Sequence, residues 1–177
     1  MDRAAFVQAL LDCGAIQFGK FTLASGKESD WYCDKMRFLT IPSLLEHVAQ
    51  EMAPYTKGHD RIAGVELGAV PIAAAVALES GLPYVVVRKA AKEYGTRKMF
   101  EGELRPGERI LFVEDVVTTA GTLAKSIEAL RMAGAVIDEA VAVVDREEGG
   151  RETLKAADVR LSSLLTASEI LKHRRQA

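Results

Sequence analysis

The chain has 177 residues, 49% hydrophobic and 27% charged, and its 23 Lys and Arg against 25 Asp and Glu leave a formal net charge of -2. That length and mixture fit one compact α/β domain over residues 1–177 with a full-sized core. The balance argues against a protein that binds by broad neutralisation of a nucleic-acid backbone, so no nucleic-acid partner is expected and any anion binding must be local.

From the N-terminus, Met1 to Cys13 carries Asp2 and Arg3 ahead of a helix-period pattern rather than an unbroken apolar run, so it is no signal peptide. Cys13 and Cys33 lack metal-ligand or redox spacing and read as reduced thiols of a cytoplasmic protein, a disulfide between them being the alternative. Phe18 to Phe38 holds Phe18, Phe21, Trp31 and Tyr32 around a turn-like Ser25-Gly26-Lys27. It predicts a small aromatic hood beside the main sheet, or a hairpin that only caps the core.

Strand-like aliphatic runs recur at Arg61 to Val65, Tyr84 to Val87, Ile110 to Val113, Ala140 to Val144 and Val159 to Leu165. Helix-period segments lie between most of them; Val70 to Ser80 and Thr122 to Ala133 end near Gly81 and Gly134. The alternation predicts a central, mainly parallel sheet flanked by helices on both faces. The apolar run Ala69 to Leu78 stops at Glu79, short of the roughly 18 residues needed to cross a bilayer, so a soluble protein with no membrane partner is expected.

Arg88 to Glu108 is polar and carries Gly95, Gly102, Pro106 and Gly107. A loop of this length in a compact domain is a functional lid or an unstructured segment. Its first part is dense in cations, Arg88, Lys89, Lys92, Arg97 and Lys98, which a solvated face would also explain.

The most informative segment follows. The short buried run Ile110 to Val113 leads at once into Glu114-Asp115-Val116-Val117-Thr118-Thr119-Ala120-Gly121-Thr122, then into a helix with Leu123, Ile127 and Leu130 on its apolar positions. Ligands of open parallel sheets bind beyond the carboxyl ends of strands, and N–H groups at a helix start favour a phosphate. Thr118, Thr119 and Thr122 add hydroxyl donors, while Ala120 and Gly121 keep the backbone accessible. Glu114 and Asp115 would repel a phosphate that they touched, so they must face ribose hydroxyls or a magnesium ion, unless they merely cap the helix. The chain has neither a Gly-x-x-x-x-Gly-Lys-Ser/Thr loop nor a Gly-x-Gly-x-x-Gly turn after a strand, which disfavours a nucleoside triphosphatase and a dinucleotide binder.

Val113 to Thr122 resembles the phosphoribosyl pyrophosphate signature of type I phosphoribosyltransferases. Three further segments resemble the orotate phosphoribosyltransferases within that superfamily: Phe18 to Lys27, their N-terminal motif; Arg88 to Gly95, their flexible catalytic loop; and Val144 to Gly150, the strand end that supplies an orotate-binding arginine. The resemblance implies the type I fold with its hood and flexible loop. It also implies transfer of the 5-phosphoribosyl group from phosphoribosyl pyrophosphate to orotate N1, a step of pyrimidine biosynthesis that yields orotidine 5'-phosphate and pyrophosphate.

By the same resemblance Lys92, Glu114 and Asp115 are catalytic. Arg88, Lys89, Lys92, Tyr94 and the run Glu114, Asp115, Val116, Val117, Thr118, Thr119, Ala120, Gly121 and Thr122 bind the donor, while Thr118 and Arg146 bind orotate. Magnesium is the implied cofactor, held through substrate and water rather than by direct protein ligation. A homodimer is implied as well, because part of the flexible loop closes over the neighbouring subunit's site. Gly64 to Pro71 follows a strand and opens a helix, so its backbone can face pyrophosphate while Glu66 points away.

Arg146 offers the two-pronged fork that matches a carboxylate, although a surface salt bridge with Glu147 or Glu148 would also account for it. Several positions depart from the family. Ala24 and Gly68 stand where lysines are common, Tyr94 where a histidine is common and Ala120 where a glycine is frequent. A phosphoribosyltransferase for a purine or another base, or a regulator that binds phosphoribosyl pyrophosphate without catalysis, stays open. The basic end Lys172-His173-Arg174-Arg175 reads as cations favoured by a helix C-terminus.

Overall fold

Asp2 starts the first helix: its carboxylate accepts a hydrogen bond from the Ala5 amide at 2.8 Å, satisfying one of the donors that a helix N-terminus leaves open. In this computed structural model, which describes residues 1–22, 26–89 and 99–174, α1 (Arg3–Asp12) buries Phe6, Val7 and Leu10. Strands β1 (Ile16–Thr22) and β2 (Glu28–Cys33) then pair antiparallel, Ile16 opposite Cys33 and Thr22 opposite Glu28. The pair falls in the segment expected to form a hood or a core-capping hairpin, buries Ile16, Trp31 and Cys33 in the main core, and differs from the expected limits in two ways. It starts at Ile16 rather than Phe18, and Phe38 leaves it for α2 (Lys35–Leu39), where the ring is fully buried in the main core. Helix α3 (Pro42–Met52) follows, with proline in the first turn, where a missing N–H costs nothing. Cys13 and Cys33 are separate free thiols, and burial pushes the Cys33 thiol up to about 12, with the Asp115 charge adding to the effect.

The remaining elements alternate as the sequence predicts except that, among the described residues, β4, β5 and β6 follow one another without a helix: β3 (Arg61–Val65), α4 (Ala69–Ser80), β4 (Tyr84–Val87), β5 (Phe100–Glu101), β6 (Arg109–Val117), α5 (Gly121–Met132), β7 (Val136–Asp145), α6 (Gly150–Ala156), β8 (Arg160–Thr166) and α7 (Ala167–His173). The strands form one sheet in the order β5-β4-β3-β6-β7-β8. Every pairing in it is parallel except that of β4 with β5.

Side chains alternate between the two faces, as the strand period requires. Ile62, Leu111, Val113, Val141 and Val143 join the core that contains residues of α1, α3 and α4. Ala63, Val65, Ile110, Phe112, Ala140 and Ala142 join a second core with Leu123, Ile127 and Leu130 of α5 and Leu154 of α6. Both faces are therefore covered, which explains why the strands read as continuous aliphatic runs.

The structure corrects two boundaries that matter for the site. Strand β6 does not end at Val113: Glu114 pairs with Ala142 and Val117 with Asp145 of β7, so both acids lie on a strand and the loop is reduced to Thr118, Thr119 and Ala120. The polar segment Arg88 to Glu108 contains β5, whose Phe100 pairs with Val87. At the C-terminus Arg174 does more than favour a helix dipole. It forms an ion pair with Asp30 and lies 5.7 Å from the centre of the Phe18 ring, which ties the last helix to the hood. No helix among the described residues is long and apolar enough to cross a membrane.

Candidate active site

A cavity opens beyond the carboxyl ends of β3 and β6, lined by Val65, Glu66, Lys89, every residue from Glu114 to Leu123, and Lys35. Its floor is the turn from β6 into α5. Ala120, the residue before the helix, has φ 59, a left-handed conformation that costs a side chain about 1–2 kcal/mol. Neither Ala120 nor any other side chain caps α5 at that position, which removes the reading of Glu114 and Asp115 as caps and leaves the first-turn N–H groups for a ligand. Thr118, Thr119, Gly121 and Thr122 are exposed in this turn. Behind it, Gly150 starts α6 so close that a Cβ there would lie 2.4 Å from Val117 Cγ1 and 2.5 Å from the Thr118 carbonyl oxygen. Only glycine lets α6 brace the turn.

The two acids occupy different electrostatic settings. Asp115 is 2% exposed; its Oδ1 accepts from the Val116 amide at 2.5 Å and its Oδ2 lies 2.7 Å from Lys35 Nζ. Glu114 accepts from the Asp115 amide at 3.0 Å through Oε1. Burial, reinforced by the Asp115 charge, pushes the Glu114 carboxyl up to about 8, against the opposing charges of Lys35 and Lys89. Two adjacent carboxylates in one half-enclosed site do not both ionise freely.

Lys35 was not among the residues the sequence pointed to. It opens α2, directly after the hood, and reaches the site from outside the β6 loop. Burial depresses its ammonium, but the hydrogen bond to Asp115 and the Asp115 and Glu114 charges outweigh this and hold its pKa above the ordinary lysine value. Gly68 makes the approach possible: a Cβ there would lie 1.7 Å from Asp115 Oδ2 and 3.0 Å from Lys35 Cε. The lysine common in the family at position 68 therefore has no room beside this arrangement of Asp115.

Glu66, expected to point away, does line the cavity, but its Oε1 accepts from the Lys89 amide at 2.9 Å and so is spent on the backbone. The peptide between Glu66 and Leu67 is cis. Lys89 lines the cavity as expected, whereas Arg88 is not part of that lining and its Nη1 lies 3.4 Å from Glu101 Oε1. Lys92 and Tyr94 lie outside the described residues, as does Ala24.

A second cavity lies under the hood, lined by Lys20, Phe21, Thr22, Glu28 to Trp31, Arg146 and Glu148. Arg146 is 7% exposed and its guanidinium carbon stands 4.2 Å from the centre of the Trp31 ring, a cation–π geometry that holds the fork flat. Nε donates to Glu148 at 2.6 Å and Nη2 to Ser29 Oγ at 3.2 Å. The salt bridge expected with Glu147 or Glu148 thus exists with Glu148, yet it coexists with a place in the cavity. Glu147 turns away, with φ 58, and accepts from the Ser168 amide and hydroxyl at 2.7 and 2.6 Å.

Thr118 and Arg146, expected to meet one ligand, line different cavities, Thr118 the first and Arg146 the second. The cavities are joined through the backbone, since the Arg146 amide donates to the Val117 carbonyl at 2.8 Å. Among the described residues no group of three or more His, Cys, Asp or Glu is arranged to hold a metal ion.

A parallel sheet whose central strand delivers acids and a threonine-rich turn to a helix start, beside a second cavity with a buried arginine, defines a phosphosugar transferase class. The Phosphoribosyl transferase domain family model matches residues 38–170. An orotate phosphoribosyltransferase of Methanosarcina acetivorans is 48% identical over 168 residues, covering 94% of this chain and 90% of that one. One from Natronomonas pharaonis is 45% identical over 174 residues, covering 98% and 100%. The crystal structure of orotate phosphoribosyltransferase from Aeropyrum pernix superposes with a TM-score of 0.87 at 34% identity, over 97% of this chain and 99% of that one. The chain belongs to the orotate phosphoribosyltransferase family.

Proposed function

We propose that this chain transfers the 5-phosphoribosyl group of phosphoribosyl pyrophosphate to orotate N1, giving orotidine 5'-phosphate and pyrophosphate. The observation that carries the reading is the placement of a buried guanidinium, Arg146, one backbone hydrogen bond from the threonine-rich turn. Among the described residues its Nη1 takes no partner, so the fork keeps a face for the orotate carboxylate.

In this reading the turn from Thr118 to Thr122 cradles the 5-phosphate, and Asp115 with Glu114 accepts from the ribose hydroxyls. As the bond to pyrophosphate breaks, the sugar gains positive charge and the leaving group negative charge. The ionised Asp115 faces the first, with Glu114 beside it as a hydrogen-bonding partner, and Lys89 with Arg88 and Lys92 answers the second. Arg88, which rests on Glu101, must turn inward to do so.

Magnesium fits as a passenger of the donor. Both Asp115 oxygens already have partners and Glu114 is held toward its neutral form, so neither is poised as a direct ligand. When bound, the ion neutralises charge on the departing pyrophosphate. We further read the enzyme as a cytoplasmic homodimer, on the strength of the Arg88 to Gly95 resemblance and of two unpaired thiols.

The test is to incubate the purified chain with Mg²⁺, phosphoribosyl pyrophosphate and orotate and follow the loss of orotate absorbance. Wild type consumes orotate, and both Lys92→Ala and Asp115→Asn lose most of that activity. Turnover of hypoxanthine or guanine with none of orotate would overturn the acceptor assignment. Unchanged activity in Lys92→Ala would overturn the role of that lysine, and sedimentation at monomer mass would overturn the dimer.

A further inference from the structure

We propose that Lys35, reaching Asp115 through the space left by Gly68, is a positioning residue of the donor site that fixes the Asp115 carboxylate for the ribose hydroxyls. The inference rests on the donor reading given above. Three observations meet on it.

Lys35 comes from the start of α2, outside the turn that carries the rest of the cavity, yet its Nζ lies 2.7 Å from Asp115 Oδ2. Among the described residues lining the cavity, the cations are Lys35 and Lys89, and Lys35 is the one whose charge is committed to an acid. Asp115 is almost wholly enclosed, and an enclosed carboxylate without a partner is costly to keep ionised. With the Val116 amide on Oδ1 and Lys35 on Oδ2, the carboxylate is held at both oxygens, so its plane is set before a ligand arrives. Remaining lone pairs accept from hydroxyls without reorganisation.

The second consequence is charge. Two acids flank a cavity meant for a polyphosphorylated donor, and Lys35 offsets one of them. The third observation is steric. The Cβ of any side chain at position 68 would fall 1.7 Å from Oδ2 and 3.0 Å from Lys35 Cε, so the glycine and the lysine form one device. Lys35 acts through Asp115; no contact of its own with the donor is required.

The test measures donor affinity directly, by calorimetric titration of phosphoribosyl pyrophosphate with Mg²⁺ and no orotate, alongside steady-state kinetics. Lys35→Met weakens donor binding tenfold or more, with the KM for orotate unchanged within twofold. Lys35→Arg restores binding to within threefold of wild type. Gly68→Ala, which intrudes on the same contact, reproduces the Lys35→Met defect, and the double variant is little worse than either single one. Lys35→Arg, which keeps the ion pair, leaves the melting temperature close to wild type, whereas Lys35→Met, which strips an enclosed carboxylate of its partner, and Gly68→Ala, which crowds it, lower it while the chain stays folded.

Donor binding by Lys35→Met as tight as wild type overturns the proposal. So does equal loss in Lys35→Met and Lys35→Arg, or equal loss for both substrates together with a lower melting temperature. If wild type binds the donor and Lys35→Met behaves as stated while orotate is not consumed, the acceptor assignment alone falls. If wild type binds no donor, both fall.

Discussion

Replacing Glu114 with glutamine removes a titration that the fold makes costly. The carboxyl rises from its ordinary 4.5 to about 8, first through burial and then through the neighbouring Asp115 charge. Because the folded value lies above the unfolded one, the associated stability is complete below about pH 4.5 and is lost as the pH climbs through about 8. Each pH unit between the two values is worth about 1.4 kcal/mol, which sets a ceiling of ~5 kcal/mol. Glu114 is only half-buried at the rim of an open cavity and shares its charge with Asp115 and Lys35, so ~2–3 kcal/mol is the effect expected after solvent screening. Urea or thermal unfolding of wild type and Glu114→Gln at pH 5, 7 and 8.5, without ligands, reads it out. The glutamine variant gains on wild type as the pH rises, by about 5 °C or more in Tm between the extremes for a chain of this size. A stability difference that stays the same at all three pH values would refute the reasoning.

Two other outcomes are expected. Arg146→Lys keeps the charge but loses the fork above Trp31, so the KM for orotate rises about 10- to 100-fold while the KM for phosphoribosyl pyrophosphate moves less than threefold; steady-state kinetics in both substrates checks this. Gly150→Ala drives a methyl group into the Thr118 carbonyl and Val117, so denaturant unfolding shows a loss of ~1–3 kcal/mol and donor affinity falls with it.

Much of the fold is legible in the sequence because its signals are local. Strands β3 and β4 fall on their aliphatic runs, and Gly81 ends α4 with φ 75, as a left-handed glycine cap does. Strand β6 runs past Glu114 for a physical reason. Side-chain character marks the buried stretch of a strand, whereas the ladder to β7 is made by backbone groups and continues through both acids. Strand β5, two residues long, offers no periodicity to read.

The site shows the same division. The turn from Thr118 to Thr122 and Arg146 announce themselves through residue type beside a strand end. Lys35 and Ser29 do not: their roles come from contacts with Asp115 and Arg146, far away along the chain, and neither stands in a local pattern that names a partner. The one signal is that Gly68 departs from the lysine that the family resemblance implies there, which does not point to Lys35.

The hydrogen bond from the Arg146 amide to the Val117 carbonyl sets what can change in evolution. Val117 and Asp145 are register partners on adjacent strands, whose spacing is ~4.8 Å in any sheet. On the proposed assignment of the two cavities to sugar and base, the reach between them is set by peptide geometry and is indifferent to side chains. A descendant of this chain could exchange its nucleobase by editing the tip of β7 and the β1–β2 hairpin alone. The sugar-phosphate half would need no retuning, and new acceptors could be sampled without first losing the donor.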